Sequence, residues 1–366
     1  MRYLLLLLVI FTTYSLSAQT SVGLVAHYKF DTAFVDATGN SANTGFPTGG
    51  PSFSCGVNGN ALFLDGVDDR VGFIGQVRNE FDTEDFTVAF YFKATGVNGT
   101  QYIMSKRAMD CSSEKVFSIR YVPSSNTINC ILLENGSKTT AVTRKLNPDH
   151  CWQHVVLIRD DRKLRLYLNG TFAGEMGATS RVDISNDGDL LLGSSNCLGQ
   201  NEVNFRGLID DLRFYNRALD EPELKALYVF PDRIVNRDTT IFLGNTVQIN
   251  YNNTCNDLFS WTPSEDVMDA NDAEPIIEPT KAGLSLYTLS ASKSGIACAS
   301  IDSIKINVID PDDLDCNEVF LPKAFTPNGD GLNDTYGISN PFAIQELISF
   351  EIFDRWGGRV FFTDNP

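Results

Sequence analysis

Short apolar runs separated by turn residues fill the chain from Leu24 to Tyr215. Branched and aromatic residues dominate the runs, and several runs alternate apolar and polar positions with a period of two, as half-buried strands do. The clearest runs are LVAHYKF (24–30), ALFLD (61–65), FTVAFYF (86–92), VFSIRYV (116–122), CWQHVVLIR (151–159), KLRLYLNG (163–170), DLLLGS (189–194) and GLIDDLRFY (207–215). About a dozen antiparallel strands over roughly 200 residues predict a β-sandwich or barrel.

One helix is expected at the end of this region, at 220–228. Asp220 is placed as an N-cap and Glu223 stands three residues later, which is a capping-box signature. Leu224 and Leu227 share one face, so we expect the helix to dock on the sandwich and close the domain.

A second β segment follows, at 231–310. Its apolar runs are TTIFLG (239–244), TVQINY (246–251), LFSWTP (258–263), EPIIEPT (274–280), LSLYTLSAS (284–292) and SIDSIKINVID (300–310). About seven strands in roughly 80 residues match the size of an immunoglobulin-like sandwich. After an acidic linker at 310–315, FEIFDRWGGRVFF (350–362) reads as a hairpin around a Gly-Gly turn.

The first eighteen residues have the composition of a secretory signal peptide: one Arg, an apolar run, then small residues at Ser17 and Ala18. No later window reaches eighteen apolar residues, so we expect no transmembrane segment in the mature chain.

The charge balance restricts the partners. Lys and Arg total 29 and Asp and Glu total 46, giving a net charge of −17. This field repels phosphate backbones and anionic lipids, so we expect no nucleic-acid or membrane-surface role. Three His leave little room for His-based catalysis, and His150 and His154 are placed on one strand too far apart to share a metal.

Eight Cys are present, none in a C-x-x-C pair, and in an exported chain an even number predicts disulfides. Cys255 and Cys298 flank the second β segment with Trp261 between them, as when a buried Trp packs on an inter-sheet disulfide. We therefore predict a Cys255–Cys298 bridge.

Residues 21–228 resemble the LamG-like jellyroll domain of the concanavalin A-like lectin/glucanase superfamily. The matching motifs are YKF (28–30), DATGN (36–40), ALFLDGVDD (61–69), FTV (86–88), WQHV (152–155), LYLNG (166–170) and GLIDDLRFYNRAL (207–219). The resemblance implies a jellyroll sandwich over 20–228. Residues 231–310 are similar to PKD-like or immunoglobulin-like modules of bacterial surface proteins.

Residues 316–366 resemble the gliding motility-associated C-terminal domain, the type B sorting domain of type IX secretion cargo. The matching motif residues are Asn328, Asp330, Asn333, Asp334, Arg355, Trp356 and Gly357. The resemblance implies export through the type IX secretion machinery, with the protein secreted or attached to the cell surface. That family continues with a Trp-Asp-Gly segment, so we expect the domain to be incomplete here. The predicted fold class is all-β: a jellyroll sandwich, an Ig-like sandwich and a partial C-terminal β domain.

Jellyroll domains of this superfamily often bind structural Ca²⁺, a hard cation that prefers oxygen ligands. The resemblance points to Asp36, Asn40 and Asp210, with Asp65 as a looser candidate. The alternative is that Asp36–Asn40 is only a turn and that Asp210 is a charge at the end of a strand.

An enzymatic alternative rests on Glu80, Asp82 and Glu84, because glycoside hydrolases of the same superfamily use E-x-D-x-E on a strand. Here the motif lies in a polar stretch that leads into the run at 86–92, so we expect a solvated loop and no catalytic residues.

The favoured function is a secreted or cell-surface binding or adhesion protein whose jellyroll domain holds an extracellular carbohydrate or protein. No aromatic cluster in the loops marks a glycan platform. A glycoside hydrolase and a purely structural spacer remain the alternatives.

Overall fold

The computed structural model describes residues 20–79, 81–111, 114–295, 298–313, 321–326, 335–338, 344 and 346–364. The predicted signal peptide (1–18) lies outside these residues. Within them, no helix is long and apolar enough to cross a membrane.

The first domain is a sandwich of two sheets. Its strands are β1 (Leu24–Tyr28), β2 (Phe46–Thr48), β3 (Ser52–Cys55), β4 (Asn60–Asp65), β5 (Arg70–Phe73), β6 (Phe86–Ala94), β7 (Thr100–Arg107), β8 (Val116–Val122), β9 (Thr127–Asn135), β10 (Lys138–Lys145), β11 (Gln153–Asp160), β12 (Lys163–Leu168), β13 (Thr171–Gly177), β14 (Leu190–Leu192), β15 (Glu202–Asn204) and β16 (Arg206–Tyr215). The helices are α1 (Gln76–Asn79) and α2 (Glu221–Leu227). The predicted jellyroll sandwich is confirmed.

Each sheet has eight strands, and chain order differs from spatial order. Sheet I runs β13-β12-β11-β6-β16-β4-β3, with β1 also paired to β16. Sheet II runs β10-β9-β8-β7-β14-β5-β2, with β15 added parallel to β7. Because successive side chains alternate between faces, one face of each sheet turns inward and builds a common apolar core.

Aromatic side chains concentrate at one part of that core. The rings of Phe81 and Phe117 lie 4.6 Å apart, and those of Tyr28 and Phe73 are also 4.6 Å apart. Phe214 touches both pairs, with its ring 5.9 Å from Phe81 and 6.3 Å from Tyr28. Burial of rings of this size supplies a large share of the hydrophobic stabilisation.

The predicted helix at 220–228 is confirmed as α2. The Asp220 side chain accepts a hydrogen bond from the Glu223 N–H at 3.0 Å, and the Glu223 carboxylate accepts one from the Asp220 N–H at 3.1 Å. Leu224 and Leu227 pack on the outer face of sheet I, against a small cluster that includes Val156. The helix therefore covers part of a sheet face that would otherwise contact water.

The second domain is a smaller β unit with its own core. Its strands are β17 (Arg233–Ile234), β18 (Thr239–Phe242), β19 (Val247–Gln248), β20 (Tyr251–Asn252), β21 (Leu258–Thr262), β22 (Ile276–Ile277), β23 (Gly283–Ser292) and β24 (Ala299–Ile309). The main sheet runs β18-β24-β23-β21, and two short pairs, β17-β20 and β19-β22, lie beside it. Trp261 is buried in this core and donates its indole N–H to the Asp272 carbonyl at 3.0 Å.

The predicted C-terminal hairpin is present as β25 (Phe350–Phe353) and β26 (Arg359–Thr363). Arg355, Trp356 and Gly357 form its turn, where Gly357 has a φ of +85° and Trp356 is 84% exposed. The other predicted sorting residues, Asn328, Asp330, Asn333 and Asp334, lie outside the described residues.

The predicted Cys255–Cys298 bridge is wrong. Cys255 pairs with Cys55 and Cys298 pairs with Cys151, at Cα–Cα distances of 6.0 and 5.8 Å. Both bridges join the two domains, because each second-domain Cys lies at the surface that docks on the sandwich.

The remaining described Cys belong to the first domain. Cys111 bonds to Cys197, and Cys130 is a free thiol buried in β9. Burial raises the pKa of the Cys130 thiol, so it is an inert apolar side chain.

Hydrogen bonds reinforce the contact between the domains. The Ile301 N–H donates to the Asp149 carbonyl at 2.9 Å, and the Cys151 N–H donates to the Ser300 hydroxyl at 3.5 Å. At the junction of the domains, the Tyr91 hydroxyl donates to the Val229 carbonyl at 2.9 Å. The two domains are thus joined covalently and by backbone contacts.

A buried arginine ties the loop before β6 to the sandwich. The Arg159 guanidinium donates to the carbonyls of Glu84 (2.5 Å), Asp82 (2.9 Å) and Val182 (3.1 Å), and lies 4.9 Å from the centre of the Phe86 ring. Burial lowers the pKa of Arg159 to about 10, which still leaves it charged at neutral pH.

We expect non-reducing peptide mapping of the oxidised protein to recover Cys55–Cys255 and Cys151–Cys298 peptides. The Cys55→Ser variant should free the Cys255 thiol, because its partner is lost, whereas Cys130→Ser should leave the map unchanged. Closing a loop of 200 residues corresponds to ~5 kcal/mol in the chain-entropy model, so the double variant Cys55→Ser/Cys255→Ser should melt at a lower temperature. A Cys255–Cys298 peptide in the wild-type map would contradict this pairing.

Replacing Arg159 by Met should destabilise the first domain by about 3 kcal/mol, because three carbonyls lose a charged donor. Urea unfolding measures the change. Arg162→Met is the matched control, since the Arg162 side chain is 58% exposed, and it should change stability by less than about 0.5 kcal/mol. Equal stability of the two variants would show that Arg159 does not hold the loop.

Candidate functional site

A groove runs along the end of the sandwich to the second domain. It consists of three adjoining cavities of about 620, 100 and 480 Å³. The first and second share the wall Leu146–Pro148 and His150, and the second and third share Ala94, Tyr121 and Cys298. The Cys151–Cys298 bridge therefore forms part of the lining where the domains meet.

The loop after β10 forms the common wall, and side-chain amides fix its shape. The Asn126 carbonyl accepts a hydrogen bond from the Leu146 N–H at 2.9 Å, and the Asn126 side-chain amide donates to the Leu146 carbonyl at 3.4 Å. The Gln153 side chain donates to the carbonyls of Asn147 at 2.8 Å and His150 at 2.6 Å. These hydrogen bonds connect the wall to Asn126 and to Gln153 at the start of β11.

A stack of rings stands beside the first cavity. The centroid distances are 4.4 Å for Tyr91–His154, 5.5 Å for His154–Tyr228, 6.1 Å for Tyr228–Phe230 and 4.9 Å for Phe230–His150. Tyr91 and His154 are buried, whereas the other three rings are half-buried. The stack thus begins in the interior and ends at the groove.

Sequence reasoning missed this aromatic cluster, because its members come from three separate segments. The sequence signal that could have found it is the pair Tyr228 and Phe230, directly after α2. Because α2 docks on the sheet, the residues that follow it lie near the edge of that sheet.

Burial shifts the pKa values of two hydrogen-bonding groups of the groove, His150 and Tyr121, away from their charged forms. Burial lowers the pKa of His150, against the smaller opposing effects of Asp149, Asp302 and Asp232. Burial also raises the pKa of Tyr121, whose hydroxyl donates to the Asn126 side chain at 3.2 Å. Hydrogen-bonding groups beside aromatic rings suit a polar ligand such as a sugar.

The described part of the E-x-D-x-E motif lies in a surface turn between α1 and β6, as expected. One Asp82 oxygen accepts from the N–H of Thr83 and of Glu84, and Arg159 holds the turn from below. Glu80 lies outside the described residues. Neither Asp82 nor Glu84 lines the groove.

Among the predicted calcium ligands, Asp36 organises a loop. Its two oxygens accept from the His27 N–H (3.0 Å), the Thr38 N–H (2.9 Å), the Thr38 hydroxyl (2.7 Å) and the Asn43 amide (3.0 Å). Asn40 caps the short 3₁₀ turn that follows it. These contacts match the alternative in which Asp36–Asn40 is only a turn.

Asp210 is fully buried in β16. One of its oxygens accepts from the N–H groups of Val57 (2.7 Å) and Asn58 (3.1 Å), and the other has no hydrogen-bond partner among the described residues. Burial raises the pKa of Asp210 to about 7. The carboxyl thus holds the loop beside Cys55, which carries a bridge to the second domain.

Asp65 lies in a different group. Its carboxylate and those of Asp68 and Asp69 lie within 4.8 Å of one another, the one such group of three in the described part of the chain. Asp36 and Asp210 do not belong to it, so the four predicted ligands do not form one site. Asp65 accepts from the Val67 N–H at 2.8 Å, as an ordinary turn residue does. Calcium binding stays a prediction.

His27, expected to be a lone strand residue, has a partner. Its Nε2 lies 2.5 Å from an Asp211 oxygen, and the other Asp211 oxygen is 2.9 Å from the Arg213 guanidinium. Burial alone would raise the pKa of Asp211, but the hydrogen bond to His27 and the charge of Arg213 lower it, so Asp211 and Arg213 form a structural ion pair on the outer face of sheet I.

Two family models match the chain. A concanavalin A-like lectin/glucanases superfamily model matches residues 64–225, and a type IX secretion signal domain model matches residues 319–366. No curated protein matches significantly.

Solved structures of similar fold are distant in sequence. Domain 4 of AbnA, a GH43 extracellular arabinanase from Geobacillus stearothermophilus, in complex with arabinotriose, is 21% identical, with a TM-score of 0.44 over 56% of this chain and 98% of that one. The binding domain of Paraclostridial Mosquitocidal Protein 1 is 13% identical, with a TM-score of 0.49 over 75% and 76%. A mutant of HCR D/C VPI 5995 is 11% identical, with a TM-score of 0.50 over 74% and 72%.

At these identities the likeness concerns the fold alone. The two family matches agree with the sandwich and with the separate C-terminal segment. This chain is an exported protein, secreted or on the cell surface, that carries a jellyroll domain of the concanavalin A-like lectin/glucanases superfamily and a type IX secretion signal domain.

Proposed function

We propose that the protein binds an extracellular carbohydrate, which its jellyroll domain holds in the groove at the junction with the second domain. The observation that carries this proposal is the lining of the groove, in which the rings of His150 and Tyr121 lie beside the amide side chains of Asn147 and Asn169. Apolar ring faces with a few fixed polar groups are the usual composition of a small-ligand site.

The groove is preorganised for this role. Its wall is held by Asn126 and Gln153, and its second-domain side is held by the Cys151–Cys298 bridge. A rigid site loses little conformational entropy on binding, which favours affinity.

Binding fits the described residues better than hydrolysis. A retaining glycosidase needs two carboxyl groups about 5 Å apart across the glycosidic bond, and among the described residues no carboxylate lines the groove. Asp82 and Glu84 belong instead to the turn before β6. The remaining candidate ligand, a protein, is an outcome of the test below.

A glycan array followed by calorimetry on the mature full-length chain tests the proposal. We expect Phe230→Ala to weaken binding of the captured glycan by about tenfold or more, because the ring that supports His150 is lost. Trp356→Ala is the control, since that ring is exposed in the C-terminal hairpin, and it should bind like wild type.

Melting curves of both variants establish that they are folded. Asn147→Ala removes a groove amide and leaves the rings of the stack in place. We expect this variant also to bind the glycan more weakly. Capture of no glycan, or equal affinity of all the variants, would contradict carbohydrate binding and leave a protein ligand as the remaining interpretation.

Incubation of the captured glycan with the protein should release no new reducing ends. Release that disappears in both Glu80→Gln and Glu84→Gln would show that the protein is a hydrolase.

A further inference from the structure

The groove carries cationic side chains, although the net charge of the whole chain is negative. Arg144 and Lys145 line the first cavity and Arg206 lines the third. The chain has 46 acidic and 29 basic residues, yet none of the described residues that line the three cavities is acidic. The groove is therefore a local region of positive charge on an anionic protein.

Arg144 is held in place without being neutralised. Its guanidinium donates to the carbonyls of Ala173 at 2.5 Å and Thr143 at 2.8 Å. The lack of a side chain at Gly174 makes room for it, because a Cβ there would come within 2.0 Å of a guanidinium nitrogen. Backbone carbonyls orient the fork but leave its full charge available to a ligand.

Arg206 is fixed through its backbone. Its N–H donates to the Gln101 side chain at 3.1 Å, and its carbonyl accepts from the N–H groups of Thr95 (2.9 Å) and Gly96 (3.1 Å). Its exposed side chain and that of Lys145 form no ion pair with a described residue. In a chain with an excess of acids, three cations left unpaired in one groove are available for an external anion.

The nearest acids do not cancel this charge within the groove. Asp149, Asp232 and Asp302 act on His150, but none of them lines a cavity. Asp232 is buried, and its carboxylate accepts hydrogen bonds from Thr254 and Ser300. Its charge is therefore stabilised by these groups, away from the groove.

We infer that the groove selects an acidic polysaccharide, one that carries carboxylate or sulfate groups along a sugar backbone. This inference rests on the proposed function and adds the class of glycan to it. The rings and amides contact the sugar units, while Arg144, Lys145 and Arg206 contact the anionic groups. The strong negative charge of the remaining surface repels the same polymer, so the preference must come from the groove.

The test compares polygalacturonate with the same polymer after full methyl esterification, and dextran sulfate with dextran, each titrated into the mature full-length chain. We expect at least one anionic polymer to bind about tenfold or more tightly than its neutral counterpart. Raising NaCl from 50 to 500 mM should reduce that preference, because exposed charges are screened. The polygalacturonate and dextran sulfate arms distinguish carboxylate from sulfate recognition.

The triple variant Arg144→Gln/Lys145→Gln/Arg206→Gln should lose the preference while retaining the melting temperature. A matched variant with three exposed cations outside the groove, Arg162→Gln/Lys225→Gln/Lys281→Gln, has the same net charge and should keep it.

Three results would overturn the inference. They are equal binding of anionic and neutral polymers, an unchanged preference in the groove variant, and an equal loss in the two triple variants. Binding of neutral glycans alone would leave the proposed function standing while removing the charge selectivity. Binding of neither class, with a blank glycan array, would remove both.

Discussion

The docking of the second domain on the sandwich is the constraint on which the rest depends. Cys55–Cys255 and Cys151–Cys298 fix it at two separate places, and the Ile301–Asp149 backbone hydrogen bond lies next to the second bridge. Gly295 and Cys298 of the second domain line part of the groove, so this contact also shapes the groove.

Several polar groups are buried on the outer face of sheet I, and their partners belong to the first domain. Asp210 and Asp211 both lie there, and each has a specific partner: the backbone of the Cys55 loop for one, His27 and Arg213 for the other. His154 is fully buried in the ring stack, and burial lowers its pKa to about 3, so it is neutral. Groups that look like candidate catalytic or metal residues in the sequence here connect segments of the first domain to one another.

The choice between holding and cutting a glycan depends on where carboxylates lie relative to the groove. Asp82 stabilises its own turn, and Arg159 anchors that turn from beneath, so the charges of this segment serve the fold. The groove presents cations, amides and rings instead. That composition suits recognition of a charged chain outside the cell, which agrees with the type IX secretion signal domain.

Local features were predictable from the sequence because their causes are local. The strands follow from alternation, α2 follows from Asp220 and Glu223, and the C-terminal hairpin follows from its Gly-Gly turn. The jellyroll class and the type IX secretion signal domain followed from motifs that are each continuous in the sequence, and the loop position of Asp82 followed from its polar surroundings.

The tertiary structure alone decided the disulfide pairing, the ring stack and the charge of the groove. Cys255 and Cys298 flank one domain in the sequence, as the two cysteines of a bridge within that domain would. In the structure, each of them pairs instead with a cysteine of the other domain. Phe230 meets His150, and Arg206 joins Arg144, only after strands distant in sequence become neighbours. Sequence fixes what each segment can form, whereas the packing of one domain on the other selects which side chains meet.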